Sequence, residues 1–206
     1  IKSLAMGNDL PNAEDAYFGS VNGEYEYGIV NPSGEFSFMI GNGTTSYGNK
    51  FEVNTNFAVY GLRILPHSDY GSFTLNLWDV ETETIIASVA VDNASKEVWK
   101  EVLLPAPINL IEGKSYIVCE YGLQHTSVHY GNTSGYTYND KITYQGCLRN
   151  SAGEMPNESF GNYRPAVDIM IGPAITESVV SEYMIQLETL SNIADEIRRI
   201  SGATGT

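Results

Sequence analysis

Ser72-Phe73-Thr74-Leu75-Asn76-Leu77-Trp78-Asp79-Val80 is the stretch whose reading decides the fold. Phe73, Leu75 and Leu77 alternate with Thr74 and Asn76, so one face of a strand is buried and the other is wet. On either side of it, strand-like runs recur at 35–40, 50–53, 57–65, 84–91, 97–104, 115–122, 142–148 and 167–171. Turn chemistry separates them, as in Pro66-His67-Ser68-Asp69, Asp92-Asn93 and Glu112-Gly113. No helical run stands between these strands, which excludes a doubly wound nucleotide fold. The expectation is a mainly β chain, an antiparallel β-sandwich of jelly-roll-like form.

The two ends read differently. Residues 1–34 are rich in Gly and Asn with little periodicity, and predict an extended N-terminal arm with one strand at 24–30, suited to lying across a neighbour. The sandwich is expected over 35–172, and 173–206 is a C-terminal helix for assembly. There Val180, Tyr183, Leu187, Leu190, Ala194 and Ile197 follow at alternating steps of three and four, a heptad seam, which Ile193 widens. Thr176 suits the N-cap, Arg198 and Arg199 suit the last turn, and Gly202 can stop the helix. A seam this short does not hold alone. Val180, Tyr183, Leu187, Leu190, Ile193, Ala194 and Ile197 are therefore the expected interface of a homo-oligomer, a trimer being favoured.

Bulk properties narrow the function. The 206 residues are 42% hydrophobic, enough for one good core, and carry a formal net charge of −14. That charge argues against nucleic acid and against an anionic membrane surface. No segment approaches the roughly 18–20 apolar residues of a membrane span. Cys119 and Cys147 allow one disulfide at most, and strand-like surroundings favour two unpaired, buried thiols. The chain opens at Ile1 with no basic-then-apolar leader, and the reading keeps open that it is part of a longer polypeptide.

Catalytic patterns are missing: there is no nucleophile elbow, no zincin helix and no phosphate loop. His125 and His129 share a strand face with no third ligand nearby, and Asp79, Glu81 and Glu83 read as a solvated hairpin end rather than a Ca²⁺ site. No enzyme, no metal and no cofactor are expected. Aromatic residues give the binding signal, with 14 tyrosines in the chain. Tyr130, Tyr136 and Tyr138 lie in a Gly/Asn/Ser/Thr stretch, where a ring can stack on a sugar while neighbouring amides take its hydroxyls. Tyr116, Tyr121 and Tyr144 fit strand framework.

Four ordered segments carry a resemblance. They are Gly48-Asn49-Lys50-Phe51-Glu52-Val53 with Val59-Tyr60-Gly61-Leu62-Arg63-Ile64; Leu75-Asn76-Leu77-Trp78-Asp79 with Ile86-Ala87-Ser88; Val98-Trp99-Lys100-Glu101-Val102 through Pro107-Ile108 to Gly113-Lys114-Ser115-Tyr116-Ile117-Val118; and Asn162-Tyr163 with Val167-Asp168-Ile169. Over about residues 47–172 the chain resembles an uncharacterised family of β-sandwich domains of bacterial surface proteins, often found beside carbohydrate-binding modules. Arg164-Pro165-Ala166 is an insertion relative to that pattern. The stretch at 190–202 is similar to a segment of bacteriophage tail and minor structural proteins. Together these resemblances imply a non-enzymatic structural and adhesion component of a phage virion, tail-associated or capsid-decorating, with other virion proteins and a host surface glycan as partners. The alternative is a carbohydrate-binding module of a bacterial cell-surface or secreted protein.

Overall fold

A computed structural model of the chain describes residues 25–30, 37–40, 45–121, 125–130, 139–151, 153–161, 163–175, 189, 191–195 and 197–199. Among them the strands are β1 (Glu26–Tyr27), β2 (Ser37–Ile40), β3 (Thr45–Val53), β4 (Phe57–Ile64), β5 (Tyr70–Asp79), β6 (Thr84–Ala94), β7 (Lys100–Leu110), β8 (Ser115–Tyr121), β9 (His125–Tyr130), β10 (Ile142–Ser151), β11 (Glu158–Ser159), β12 (Tyr163–Pro165) and β13 (Val167–Gly172). They form a four-stranded sheet in the order β1-β13-β4-β7 and a six-stranded sheet in the order β11-β10-β3-β8-β5-β6. A small third sheet runs β12-β9-β2. Every ladder is antiparallel. The expected β-sandwich is the fold found.

The alternation at 72–80 explains the layers. Phe73, Leu75 and Leu77 meet Phe51, Tyr116 and Val118 of the same sheet and Val59, Leu62, Ile64, Val167 and Ile169 of the other in one core. Parity sends Trp78 to the opposite face, which the sequence reading left wet. That face is covered there: Trp78, Ile117 and Cys119 form a second cluster under Val80, Leu148 and Met155. Between β10 and β11 the chain brings Met155 over this face, and β11 then extends the sheet, pairing Leu148 with Ser159 and Arg149 with Glu158.

In segment 1–34, β1 lies inside the strand expected at 24–30 and joins the sandwich. Glu26 and Tyr27 pair with Ile171 and Met170 of β13, and Ile29 and Val30 are core residues. β7 runs on past Leu104 to Leu110 despite Pro105 and Pro107, because it is the sheet's edge and needs no outward amide donors. β9, absent from the strand-like runs of the sequence although His125 and His129 were set on one strand face, pairs with β2 and β12.

The chain divides into two units, Ile1–Pro173 and Ala174–Thr206. In the second, residues 189, 191–195 and 197–199 are helical, and Asp195 pairs with Arg198. Thr176 and Gly202, the expected cap and stop, lie outside the described residues.

Candidate functional site

The most heavily charged buried group is structural. Arg63 on β4 and Asp168 on β13 lie opposite one another in the ladder, and Arg63 Nη2 donates to Asp168 Oδ2 at 2.9 Å. Their side chains are 2% and 0% exposed. Asp168 also accepts from the amides of Ile29 (2.7 Å), Val30 (3.1 Å) and Ile169 (2.8 Å). Arg63 returns a bond to the Val30 carbonyl at 2.9 Å, and its guanidinium lies 3.3 Å from the Tyr27 ring centre and 4.1 Å from that of Trp99. Burial pushes the Asp168 carboxyl up, against the pull of Arg63 and of the amides. With four donors converging on it, this carboxylate has no free site for proton transfer, so its work is to anchor the N-terminal segment. Arg164 adds a bond to the Ile29 carbonyl at 3.2 Å and stacks 4.4 Å above Tyr144. It thus completes the same anchor.

The predicted sugar-contact tyrosines are only partly placed. Tyr130 ends β9, where its backbone lies opposite Tyr163 of β12. Tyr136 and Tyr138 lie outside the described residues. Around Tyr163 stands an aromatic row that sequence reasoning missed. The Tyr163 ring stacks on Phe160 with centroids 5.2 Å apart, and Phe160 tilts onto Tyr47 at 5.2 Å. The Arg149 guanidinium sits 4.8 Å from the Phe160 centroid and pairs with Glu158 at 3.4 Å. Beside this row a shallow polar recess of about 180 Å³ is lined by Thr45, Arg149, Asn150, Ser151 and Glu158. Gly161, at a φ of 57°, makes the left-handed turn that carries the chain from β11 to β12 and so sets Phe160 against Tyr163. An aromatic face flanked by an amide, a guanidinium and a carboxylate is chemically suited to a polyol: the ring takes the apolar sugar face and the polar groups take hydroxyls. Asn162-Tyr163 was visible as a motif; its meeting with Phe160 and Tyr47 depends on pairing across the sheet.

The other sequence-derived sites resolve as follows. Asp79 Oδ1 accepts from the amides of Glu81 (2.8 Å) and Thr82 (3.1 Å), and Glu81 pairs with Lys114 at 2.7 Å, so this carboxylate group builds a hairpin end. His125 and His129 both lie in β9. Among the described residues no three His, Cys, Asp or Glu side chains gather as a metal cage. Tyr116 and Tyr144 are buried framework, while Tyr121 is exposed at the end of β8. Cys119 and Cys147 are free and buried. Cys147 lies opposite Asn49, whose amide reaches the Val167 carbonyl inside the sandwich at 2.7 Å, whereas Cys119 belongs to the outer cluster with Trp78. They occupy opposite faces of one sheet and cannot bridge. Burial pushes each thiol up to about 12, so neither is a nucleophile at neutral pH.

On the terminal helix, Ile193 is 52% exposed and Ile197 47%, with Ala194 half-buried. Val180, Tyr183, Leu187 and Leu190 lie outside the described residues.

Residues 38–165 match the family described as Domain of unknown function (DUF4082). No curated protein matches the chain.

Proposed function

The chain belongs to the DUF4082 family, and from that premise we propose that it is a non-enzymatic structural and adhesion component of a bacteriophage particle, tail-associated or capsid-decorating. In this reading the β-sandwich is the presented body and the terminal helix fastens it to other copies or to other virion proteins. The observation that carries it is the pair Ile193 and Ile197, one helical turn apart and each about half exposed, on a helix outside the sandwich unit. Large apolar side chains on one helix face are stabilised by covering them, and in an assembly another chain does so. The particle itself rests on the resemblance read from the sequence of 190–202 to a segment of phage tail and minor structural proteins. Replacing Leu187 and Leu190 by Asp, or Ile193 and Ile197 by Asp, should lower the solution mass measured by light scattering while the β-sheet circular dichroism persists. An unchanged mass for both pairs would remove the helix as the joint.

Adhesion falls to the aromatic row and recess, and to Tyr130, Tyr136 and Tyr138 as expected from the sequence. Alanine at Tyr130, Tyr136 and Tyr138, or at Phe160, should weaken retention on an array of bacterial surface glycans, and equal retention would count against sugar binding. That same recess favours a second reading, a carbohydrate-binding module of a bacterial cell-surface or secreted protein. It differs in two outcomes: the chain would be a monomer, and glycan retention would survive the helix substitutions.

A further inference from the structure

Arg149 and Glu158 face one another across the β10–β11 ladder, and Ser151 and Thr45 face one another across the β10–β3 ladder, so four of the residues lining the polar recess are set by strand register. Arg149 is held twice. Its guanidinium lies over the Phe160 ring, 4.8 Å from the centroid, and its Nε stands 3.4 Å from Glu158 Oε2. The ring fixes the plane of the fork, so the Nη donors keep one direction. At 3.4 Å the pair is longer than the about 2.7–2.9 Å of a close charge-assisted bond, and both side chains reach solvent. Asn150 spends its amide on the turn, donating to the Met155 carbonyl at 2.9 Å and accepting from the Ser151 amide at 2.7 Å. One guanidinium and one carboxylate therefore supply the charge of the recess, and their sum is zero.

Resting on the adhesion reading above, we propose that this recess selects a neutral sugar residue over an acidic one, with Arg149 and Glu158 as the specificity-determining pair. A sugar carries hydroxyls on adjacent carbons, and each both donates and accepts. One accepts from an Arg149 Nη while its neighbour donates to the second oxygen of Glu158. A diol thus bridges the long ion pair and leaves neither charge unmatched. A uronate or sialate carboxylate would gain the same fork, but it meets the Glu158 carboxylate beside it. It also approaches a chain of formal charge −14, whose field opposes any anion. The volume of about 180 Å³ is below the roughly 300–1,000 Å³ of sites that enclose drug-sized ligands, so the recess seats one residue of a longer glycan.

The test places the full chain on an array of neutral hexose and N-acetylhexosamine oligosaccharides beside matched ones bearing uronate or sialate. Neutral glycans should be retained over acidic ones, and equally at about 0.1 M and about 1 M salt, because no ion pair forms with the ligand. Glu158→Gln removes the acceptor charge, and should weaken neutral retention about ten-fold while raising acidic retention by freeing Arg149. Arg149→Lys keeps the charge but loses the fork and its seat on Phe160, and should weaken neutral retention without admitting acidic glycans. Near-ultraviolet circular dichroism checks that each variant is folded. Where one is not, competition in the wild type by the free hexose of the retained glycan against its uronate decides. Acidic retention equal to or above neutral, released by salt, overturns the charge selection and leaves sugar binding standing. Neutral retention unmoved in both folded variants overturns the Arg149–Glu158 pair as its seat. Retention of neither class removes the adhesion reading, and this inference with it.

Discussion

At the scale of single residues, the sandwich depends on a few polar groups placed deep inside it. Asp168 is fixed by Arg63 and three amides, so Asp168→Asn would leave the guanidinium buried with no counter-charge. We expect this to cost about 3–5 kcal/mol, read as a lower urea midpoint with an unchanged slope. The rings of Tyr27 and Trp99 on either side of Arg63 would hold part of the charge and keep the loss toward the low end. The cysteines give a second check. With each thiol raised to about 12 by burial, a thiol reagent should leave the native protein unmodified at neutral pH and titrate two groups in denaturant. Modification of the native chain at the unfolded rate would place one of them at the surface. Much of this was legible, since Arg63 and Asp168 stand in two of the quoted motifs. Their partnership was not, because the two positions, 105 apart in sequence, meet only through the β4–β13 ladder.

At the scale of elements, what the sequence showed and hid follows from strand environment. Alternation at 72–80 identified β5, yet Trp78 lies under a covering segment that only the chain between β10 and β11 supplies. β9 was missed because His125-Thr126-Ser127-Val128-His129-Tyr130 leads into turn formers, although its Thr, Val and Tyr share one parity and suit a strand. The β4–β7 ladder makes a sharper demand. A Cβ on Gly61 would lie 2.7 Å from Met170 Sδ and 2.8 Å from the Val102 carbonyl oxygen. The sulfur can move and the backbone cannot, so Gly61→Ala should destabilise by about 1–3 kcal/mol, measured by denaturant unfolding. β1 is held differently: Glu26 takes bonds from Lys141 and Asn139 that set its carboxyl below the usual glutamate range. A carboxyl lowered in the folded state contributes stability above the unfolded value, 4.5, and loses it as pH falls through the folded one. Exchange of the Glu26 and Tyr27 amides should therefore quicken below pH 4.5 before the core amides change, and uniform loss of protection would show that β1 is not a separate latch.

For the whole molecule, charge and apolar surface pull in opposite directions, and their balance is measurable. The chain carries 25 acidic against 11 basic residues, a composition that keeps copies apart. Against this stand Ile193 and Ile197 on the helix, which gain by being covered. If contacts of this apolar kind join the copies, salt should strengthen them. Raising ionic strength from about 0.1 M to about 1 M shortens the screening length from about 10 Å to about 3 Å, so the repulsion fades while the covering of apolar surface persists. We expect the sedimentation coefficient at fixed protein concentration to rise over that range and the dissociation constant to fall. A joint built from ion pairs would respond in the reverse sense and come apart in salt. The direction of that one response therefore distinguishes an association built on apolar contacts from one held by charges, before any individual residue is changed.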